Sequence, residues 1–228
     1  MTGPPDLVIF DCDGVLVDSE PLSMRILLDT LGAAGLTLDP ATGYDRFLGR
    51  SLAGTVAILR DEFGLTLGEP ALAEMRRRLY AAFRAELQPI PHVAEVLAAL
   101  PCPFCVASSS QPERIELSLR VTGLWPAFAG RVFSATMVAR GKPAPDLFLH
   151  AAAALGHPPA ACLVVEDSPA GVRAARAAAM SVVAYAGGSH AAGERHRAAI
   201  AALAPDAVID DMRALLPLLR RQDQAARG

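Results

Sequence analysis

The feature that most constrains this chain is a short apolar run that ends abruptly in two acids. Residues 7–10 read LVIF, and Asp11, Asp13 and Gly14 follow closely. Such a run is typical of a strand that is buried on both faces of a parallel sheet. Glycine adopts backbone angles that strain other residues, so the chain can turn here and bring both carboxylates towards one ligand.

Two interpretations of this DxDG segment follow from the residues. Ligands of open α/β sheets bind beyond the carboxyl ends of the strands, where the strand order reverses. Clustered carboxylates repel one another unless a cation or a proton intervenes, and magnesium typically takes one or two carboxylates together with a phosphate. This favours metal-assisted phosphate chemistry. The alternative is a turn with two solvated acids, because Asp and Gly are common turn residues.

A block of helical patterns without a strand follows the first strand. Apolar spacing and punctuation by Gly and Pro predict helices over 21–31, 40–48, 51–63 and 69–87. The next strand pattern begins at Phe104, and so long a block does not fit one βαβ crossover. We therefore predict an inserted helical domain over 18–89, with 1–17 and 90–228 forming the core domain. Short connections at both ends could act as hinges, although a rigidly packed pair of domains is the alternative.

Helix and strand patterns alternate regularly from residue 91 onwards. The predicted strands are 104–108, 132–133, 163–165, 182–185 and 207–209, and the predicted helices are 92–100, 112–121, 145–155, 169–179 and 212–221. Such alternation is typical of a parallel sheet with helices on both faces. The sequence therefore predicts the α/β fold class.

Composition argues against several function classes. The 228 residues are 52% hydrophobic and 20% charged, as in globular proteins. A net charge of −3 argues against nucleic-acid binding, which usually needs a basic face. The sequence shows neither a secretory signal pattern nor an apolar run long enough to span a membrane. The four cysteines would stay thiols in a reducing compartment, so we expect a cytoplasmic protein. We also expect it to be monomeric or weakly dimeric and to have no nucleic-acid or membrane partners.

Three later segments carry residue types that phosphate chemistry needs. Ser108 ends the strand pattern PFCVAS, Lys142 lies in GKPAPD, and Glu166 and Asp167 lie in VVEDSPAG. Together with DCDGVLVDSE at 11–20, these segments resemble the four motifs of the haloacid dehalogenase-like (HAD) hydrolases. The resemblance runs through nearly the whole chain. It is greatest for capped sugar-phosphate phosphatases and β-phosphoglucomutases, and among them for members of the 6-phosphogluconate phosphatase type.

This resemblance implies a fold and a catalytic mechanism. The fold would be a three-layer Rossmann-like parallel sheet core with residues 18–89 as an inserted α-helical cap domain. Asp11 would be the nucleophile, since an ordinary aspartate is already ionised at neutral pH and could form an aspartyl-phosphate without a base. Asp13 would be the general acid and base, which requires its pKa to be raised. Ser108 and Lys142 would bind phosphoryl oxygens, and Lys142 would also pair with Asp11.

The resemblance also implies Mg²⁺ as the cofactor. Its direct protein ligands would be Asp11, the backbone carbonyl of Asp13, and Asp167, while Glu166 would reach the ion through water. Oxygen donors of this kind suit magnesium, which keeps several waters and near-octahedral geometry.

Substrate binding would involve two loops. Ser109 lies beside Ser108 in the first loop. In the second, Gly49 and Arg50 belong to the segment RFLGRS, which resembles the specificity loop of the family. Arg50 would hold a distal anionic or hydroxylated end of the substrate, because guanidinium matches carboxylate and phosphate geometry. A solvated arginine is the alternative.

Departures from the mutase pattern separate the candidate activities. Ser23 stands where β-phosphoglucomutases carry a histidine, and Leu48 and Leu52 stand where they carry a lysine and an arginine. Those groups hold a second phosphate, so their absence favours water as the final acceptor. We expect a magnesium-dependent phosphatase for a small sugar, sugar-acid or polyol phosphate. The alternatives are a β-phosphoglucomutase-like hexose-phosphate mutase and a non-catalytic regulator that binds a phosphometabolite.

Overall fold

The computed structural model describes residues 4–48 and 50–219. Within them, six strands form one sheet, and every pairing between neighbouring strands is parallel. The strands are β1 (Leu7–Phe10), β2 (Phe104–Ser108), β3 (Val132–Ser134), β4 (Cys162–Glu166), β5 (Ser181–Tyr185) and β6 (Ala207–Ile209). Their order across the sheet is β3-β2-β1-β4-β5-β6. The predicted parallel α/β fold is therefore confirmed.

The central strand β1 explains why the sequence opens on an uninterrupted apolar run. It pairs with β2 on one side and with β4 on the other, and all four of its residues are fully buried. Val8 and Phe10 point into one hydrophobic cluster, and Leu7 and Ile9 point into the other. Because side chains alternate across a strand, burial on both faces requires every position to be apolar.

Helices cover both faces of this sheet and also form a separate block. Between β1 and β2 lie α1 (Glu20–Ala33), α2 (Pro40–Phe47), α3 (Leu52–Phe63), α4 (Glu69–Glu86) and α5 (Val93–Ala99). Further along are α6 (Pro112–Val121), α7 (Trp125–Phe128), α8 (Asp146–Ala154), α9 (Pro169–Ala177) and α10 (Glu194–Ala201). Residues of α5, α6 and α7 pack in the first cluster, and residues of α8, α9 and α10 in the second. The core thus has three layers.

The helices α1 to α4 have a small hydrophobic core of their own. Its buried members include Met24, Leu31 and Leu59, none of which belongs to the two clusters that cover the sheet. The chain enters and leaves this helical block through adjacent segments, since the backbone N–H of Asp18 donates to the Gln88 carbonyl at 3.0 Å. Two neighbouring connections of this kind are compatible with hinge motion. The domain borders at 18 and 89 stay a prediction.

Two helices of the structure lack a sequence signal. The helix α10 buries a single residue, Ile200, so no apolar stripe marks it. The helix α7 is one turn long. The predicted final helix begins as a 3₁₀ turn over Met212–Ala214 and continues as helix over 215–219, and its last predicted residues lie outside the described part. No helix in the described ranges has the length and apolar character needed to cross a membrane.

The core around the sheet should be sensitive to truncation of its aromatic side chains. Phe128 is fully buried, and its ring centroid lies 5.2 Å from that of Phe104. We expect Phe128→Ala to lower the free energy of unfolding by about 3–5 kcal/mol, because it removes buried apolar surface and leaves a cavity. Urea denaturation followed by circular dichroism would measure the loss. The control Leu149→Ala, at a position that is 37% exposed, should change stability far less.

Candidate active site

Residues far apart in the sequence meet at the carboxyl edge of the sheet. Asp11 follows β1, Ser108 ends β2, and Glu166 ends β4. The strand order reverses between β1 and β4, since β2 lies on one side of β1 and β4 on the other. In parallel sheets a crevice opens at such a point, beyond the carboxyl ends of the strands. The topology therefore converts separate sequence motifs into one site.

A single buried ammonium group holds two of these acids. Lys142 Nζ lies 2.5 Å from Asp11 Oδ1 and 2.7 Å from Glu166 Oε1, and it donates to the Ala107 carbonyl at 3.0 Å. The Lys142 side chain is 2% exposed. Burial lowers the pKa of Lys142, but Asp11 and Glu166 outweigh it, so this pKa is raised and the ammonium stays charged.

Three buried carboxylates near this ammonium carry more negative charge than it offsets. One oxygen from each of Asp11, Glu166 and Asp167 lies within 4.8 Å of the other two. Burial raises the pKa of both Asp11 and Glu166, and neighbouring acids raise it further, whereas Lys142 lowers it. Buried oxygen donors with excess negative charge are the ligand set that a hard divalent cation prefers. The residues present therefore fit a divalent metal.

Glu166 is held from several sides by the protein itself. Its Oε1 contacts Lys142, while its Oε2 accepts hydrogen bonds from the backbone N–H and the hydroxyl of Ser168 at 2.7 and 2.9 Å. A Cβ at Gly171 would lie 1.7 Å from Glu166 Oε1, so only glycine leaves room for this carboxylate. Both oxygens of Glu166 are therefore engaged by groups of the protein.

The side chain of Asp13 does not belong to this acidic cluster. Its Oδ1 accepts from Ser19 Oγ at 2.6 Å and from Arg114 Nη2 at 2.8 Å, and its Oδ2 accepts from Ser110 Oγ at 2.6 Å. Burial raises the pKa of Asp13, but Arg114 and the two hydroxyls outweigh it, so this pKa is lowered. We expected a raised pKa for a general acid. The structure instead holds Asp13 ionised.

Arg114 is a site residue that sequence reasoning missed. It lies on α6, yet its Nη2 also donates to Ser23 Oγ on α1 at 3.0 Å. Its guanidinium lies 5.2 Å from the centroid of the Phe83 ring on α4. One side chain of the core therefore contacts two helices of the helical block. An arginine in the first turn of a helix is too common for its sequence position to signal this role.

The serines after β2 face the same crevice. Ser108 is buried, and its hydroxyl accepts from the backbone N–H of Ser110 at 3.1 Å. Ser109 lines the cavity beside it. None of these serines caps the following helix, because Gln111 is the N-cap of α6.

A cavity lies between the sheet edge and the helical block. It has about 860 Å³ of empty space, open solvent included. The sheet side is polar, whereas the helical side contributes mainly apolar residues such as Met24, Phe47 and Leu52. Arg50 also lines it. Gly49 lies outside the described residues, so its substrate-binding role stays a prediction.

Two further titratable residues of the site carry no sequence signal. Glu20, in the first turn of α1, lines the cavity, and burial raises its pKa to about 7. His190, after β5, has its Nε2 atom 2.7 Å from Asp167 Oδ2. Each lies in a segment that contains no recognisable motif, and only the tertiary structure places it close to the buried acids.

The fold is a parallel α/β sheet with buried acids and a buried lysine at its carboxyl edge. The family model described as haloacid dehalogenase-like hydrolase matches residues 5–179. The chain belongs to this family. The family resemblance that was inferred from the four sequence motifs is therefore confirmed.

Similar proteins narrow the class to phosphatases. The 6-phosphogluconate phosphatase of Escherichia coli K12 is 33% identical over 186 residues, which cover 81% of this chain and 84% of the relative. The fructose-1-phosphate phosphatase of the same strain is 32% identical over 181 residues, covering 77% and 94%. A haloacid dehalogenase-like protein of unknown function from Agrobacterium tumefaciens C58 superposes with a TM-score of 0.82 at 33% identity, covering 95% and 98%. The chain is accordingly a phosphatase of the HAD family.

The raised pKa of Glu20 predicts a pH-dependent stability. The folded state binds the Glu20 proton up to about pH 7, whereas an ordinary glutamate loses it near 4.5. Stability should therefore fall as pH rises through this window, because the unfolded state then binds fewer protons. Glu20→Gln should remove a penalty on the order of 3 kcal/mol at pH 8 and change little at pH 4.5.

Urea denaturation of the metal-free protein across pH 4–9 would test this expectation. The matched control is Glu69→Gln, since Glu69 is exposed and starts α4 as Glu20 starts α1. This control should lack the gain in stability that Glu20→Gln shows at pH 8. A Glu20→Gln difference that does not vary with pH would contradict the prediction.

Proposed function

We propose that this chain is a Mg²⁺-dependent phosphatase that hydrolyses a small sugar, sugar-acid or polyol phosphate through an aspartyl-phosphate on Asp11. The observation that carries this proposal is the position of Asp11. Its carboxylate lies at the carboxyl edge of the central strand, 2.5 Å from Lys142 and beside two further buried acids. A nucleophile in this position would face the cavity between the sheet edge and the helical block.

In the first step, the Asp11 carboxylate would attack phosphorus and displace the sugar or polyol alkoxide. Phosphoryl transfer depends mainly on placement of the reactants and on neutralisation of charge on the transferring oxygens. Lys142 stays charged, so it would neutralise phosphoryl oxygens and orient Asp11. The hydroxyl of Ser108 and the backbone N–H groups of its loop would donate to the same oxygens.

Asp11 and Asp167, with the Asp13 carbonyl, would hold Mg²⁺, and Glu166 would act through a bound water. When bound, the ion would supply positive charge that offsets that of the phosphoryl group and of the buried carboxylates. The excess negative charge of the acidic cluster supports this assignment.

Asp13 would transfer protons at two stages. In the ionised form it is suited to take a proton from the water that hydrolyses the aspartyl-phosphate. Protonation of the leaving group needs the opposite form, which the contacts with Arg114, Ser19 and Ser110 disfavour. We infer that these contacts loosen in the substrate complex.

Residues 18–89 would act as a cap that selects the substrate. The cavity lies between this block and the sheet edge, and Arg50 lines it where it could bind a distal anionic or hydroxylated end. Ser23 is engaged by Arg114 rather than directed at a second phosphate. Together with Leu48 and Leu52 this favours water over a sugar as the final acceptor. The names of the relatives agree with a sugar or sugar-acid phosphate.

Removal of the nucleophile gives the most direct test. We expect Asp11→Asn to lower phosphate release by at least about 10³-fold, because the amide cannot form the covalent intermediate. Phosphate release would be measured for 6-phosphogluconate, fructose 1-phosphate, a hexitol phosphate and β-glucose 1-phosphate, with Mg²⁺ and with EDTA. Asp61→Asn, at an exposed acid on α3, is the matched control and should behave like the parent.

The outcomes separate the candidate functions. An Asp11→Asn protein that hydrolyses as fast as the parent would exclude the mechanism. Conversion of β-glucose 1-phosphate to glucose 6-phosphate without phosphate release would favour the mutase. Absence of turnover on every ester, with binding retained, would favour a regulator.

The contact between Arg114 and Asp13 predicts a shift in the pH–rate profile. Hydrolysis of the aspartyl-phosphate needs Asp13 as an ionised base, so the rate of this step, followed as decay of the phosphoenzyme, falls at low pH as Asp13 becomes protonated. Because Arg114 lowers the pKa of Asp13, Arg114→Met should raise that pKa and move the acidic limb to higher pH. Arg114→Lys should move it less.

Profiles at saturating Mg²⁺ would measure this shift. Arg120→Met is the control, because Arg120 lies on the same helix and pairs with the exposed Glu116 instead. An acidic limb that stays in place in Arg114→Met would show that another group sets it.

A further inference from the structure

His190 lies against the acidic cluster, although none of the motifs contains it. It belongs to the 3₁₀ turn Ser189–Ala192, which follows β5. Its side chain is fully buried, and its Nε2 lies 2.7 Å from Asp167 Oδ2. A buried imidazole at this distance from a carboxylate of the site indicates that His190 has a function there.

The acids of the motifs lie against basic side chains. Lys142 serves Asp11 and Glu166, and Arg114 serves Asp13. Among the residues that the structure describes, no lysine or arginine lies within 4 Å of the Asp167 carboxylate, and His190 is the basic side chain that does. His190 is therefore the basic partner of Asp167.

Packing holds the His190 ring in place. A Cβ at Gly14 would lie 2.1 Å from Asp167 Oδ2 and 2.7 Å from His190 Cε1, and a Cβ at Gly188 would also lie 2.7 Å from His190 Cε1. Gly14 has a φ of +80°, which L residues rarely adopt. Two glycines thus leave the space in which the imidazole meets Asp167.

The turn that carries His190 is itself anchored. The backbone N–H of Ser189 donates to Asp18 Oδ1 at 3.3 Å, and its hydroxyl donates to the other oxygen of Asp18. The ring of His196, from α10, packs edge-on against His190 with centroids 5.5 Å apart. The turn is therefore tied to the segment that leads into α1 and to a helix of the core.

The contact between His190 and Asp167 is close but not aligned as a hydrogen bond. In the described part of the chain, neither nitrogen of His190 has an aligned hydrogen-bond partner. At 2.7 Å these two atoms need a change of orientation, not of distance, to form a hydrogen bond.

We propose that His190 is a positioning residue that holds Oδ2 of Asp167 and so presents its other oxygen to the divalent cation. This inference rests on the proposed function, which makes Asp167 a metal ligand. Outer partners that orient metal ligands typically contribute 10–100-fold to metal affinity. His190 acts through Asp167 and does not touch the cation.

Two substitutions of His190 test this role by metal binding. His190→Leu removes the donor, whereas His190→Gln keeps an N–H that can reach Asp167. Titration calorimetry of the metal-free protein with Mg²⁺, and electron paramagnetic resonance with Mn²⁺, would measure affinity without any turnover. We expect His190→Leu to weaken binding by about 10-fold or more and His190→Gln to retain most of the affinity.

Further variants control for misfolding and for the identity of the site. His157→Leu, remote from the acids, should bind Mg²⁺ like the parent. If His190→Leu does not fold, Ser189→Ala removes the hydroxyl bond that helps to anchor the turn while the imidazole remains, and it should weaken binding by a smaller factor.

Asp167→Asn separates failure of this inference from failure of the proposed function. If Asp167→Asn abolishes Mg²⁺ binding while His190→Leu, or Ser189→Ala in its place, binds like the parent, the role of His190 is overturned and the metal site stands. If Asp167→Asn binds like the parent, the metal site of the proposed function fails and the role of His190 fails with it.

Discussion

The burial of like charges at one edge of the sheet is the constraint on which this structure depends. Asp11, Glu166 and Asp167 are buried together, with Asp13 partly exposed beside them, and an isolated buried carboxylate is costly. Each is offset by a basic side chain from another part of the chain. Even so, negative charge remains in excess around Lys142, and such a set of buried oxygen donors suits a divalent cation.

This charge balance explains features of the fold beyond the acids. The parallel sheet reverses its strand order beside β1, so the acids after β1 and β4 meet in one crevice. Glycine at positions 14 and 171 lets Asp167 and Glu166 approach the neighbouring backbone. Arg114 extends the same network to Ser23 and Phe83 in the helical block, so the ionisation of Asp13 is linked to contacts between that block and the core.

Much of the fold and the centre of the site could be predicted, because their signals are local. The fully apolar strand patterns predicted the sheet. Acids placed directly after two of these strands predicted the edge of the sheet at which the site lies. Other features have no local signal. The helix α10 buries only Ile200, so no apolar periodicity in the sequence indicates this helix. Arg114 lies 101 residues from Asp13, and an arginine in a helix can serve many purposes.

The sequence by itself determined the α/β class, the family and the residues Asp11, Ser108, Lys142 and Asp167, since each is tied to a strand end or a motif. Only the tertiary structure decided their electrostatic state. The pKa of Asp13 is lowered where the motif led us to expect a raised one, because Arg114, Ser19 and Ser110 converge on it from three separate segments. Charge interactions depend on distance and burial in space, and neither can be read from spacing along the chain.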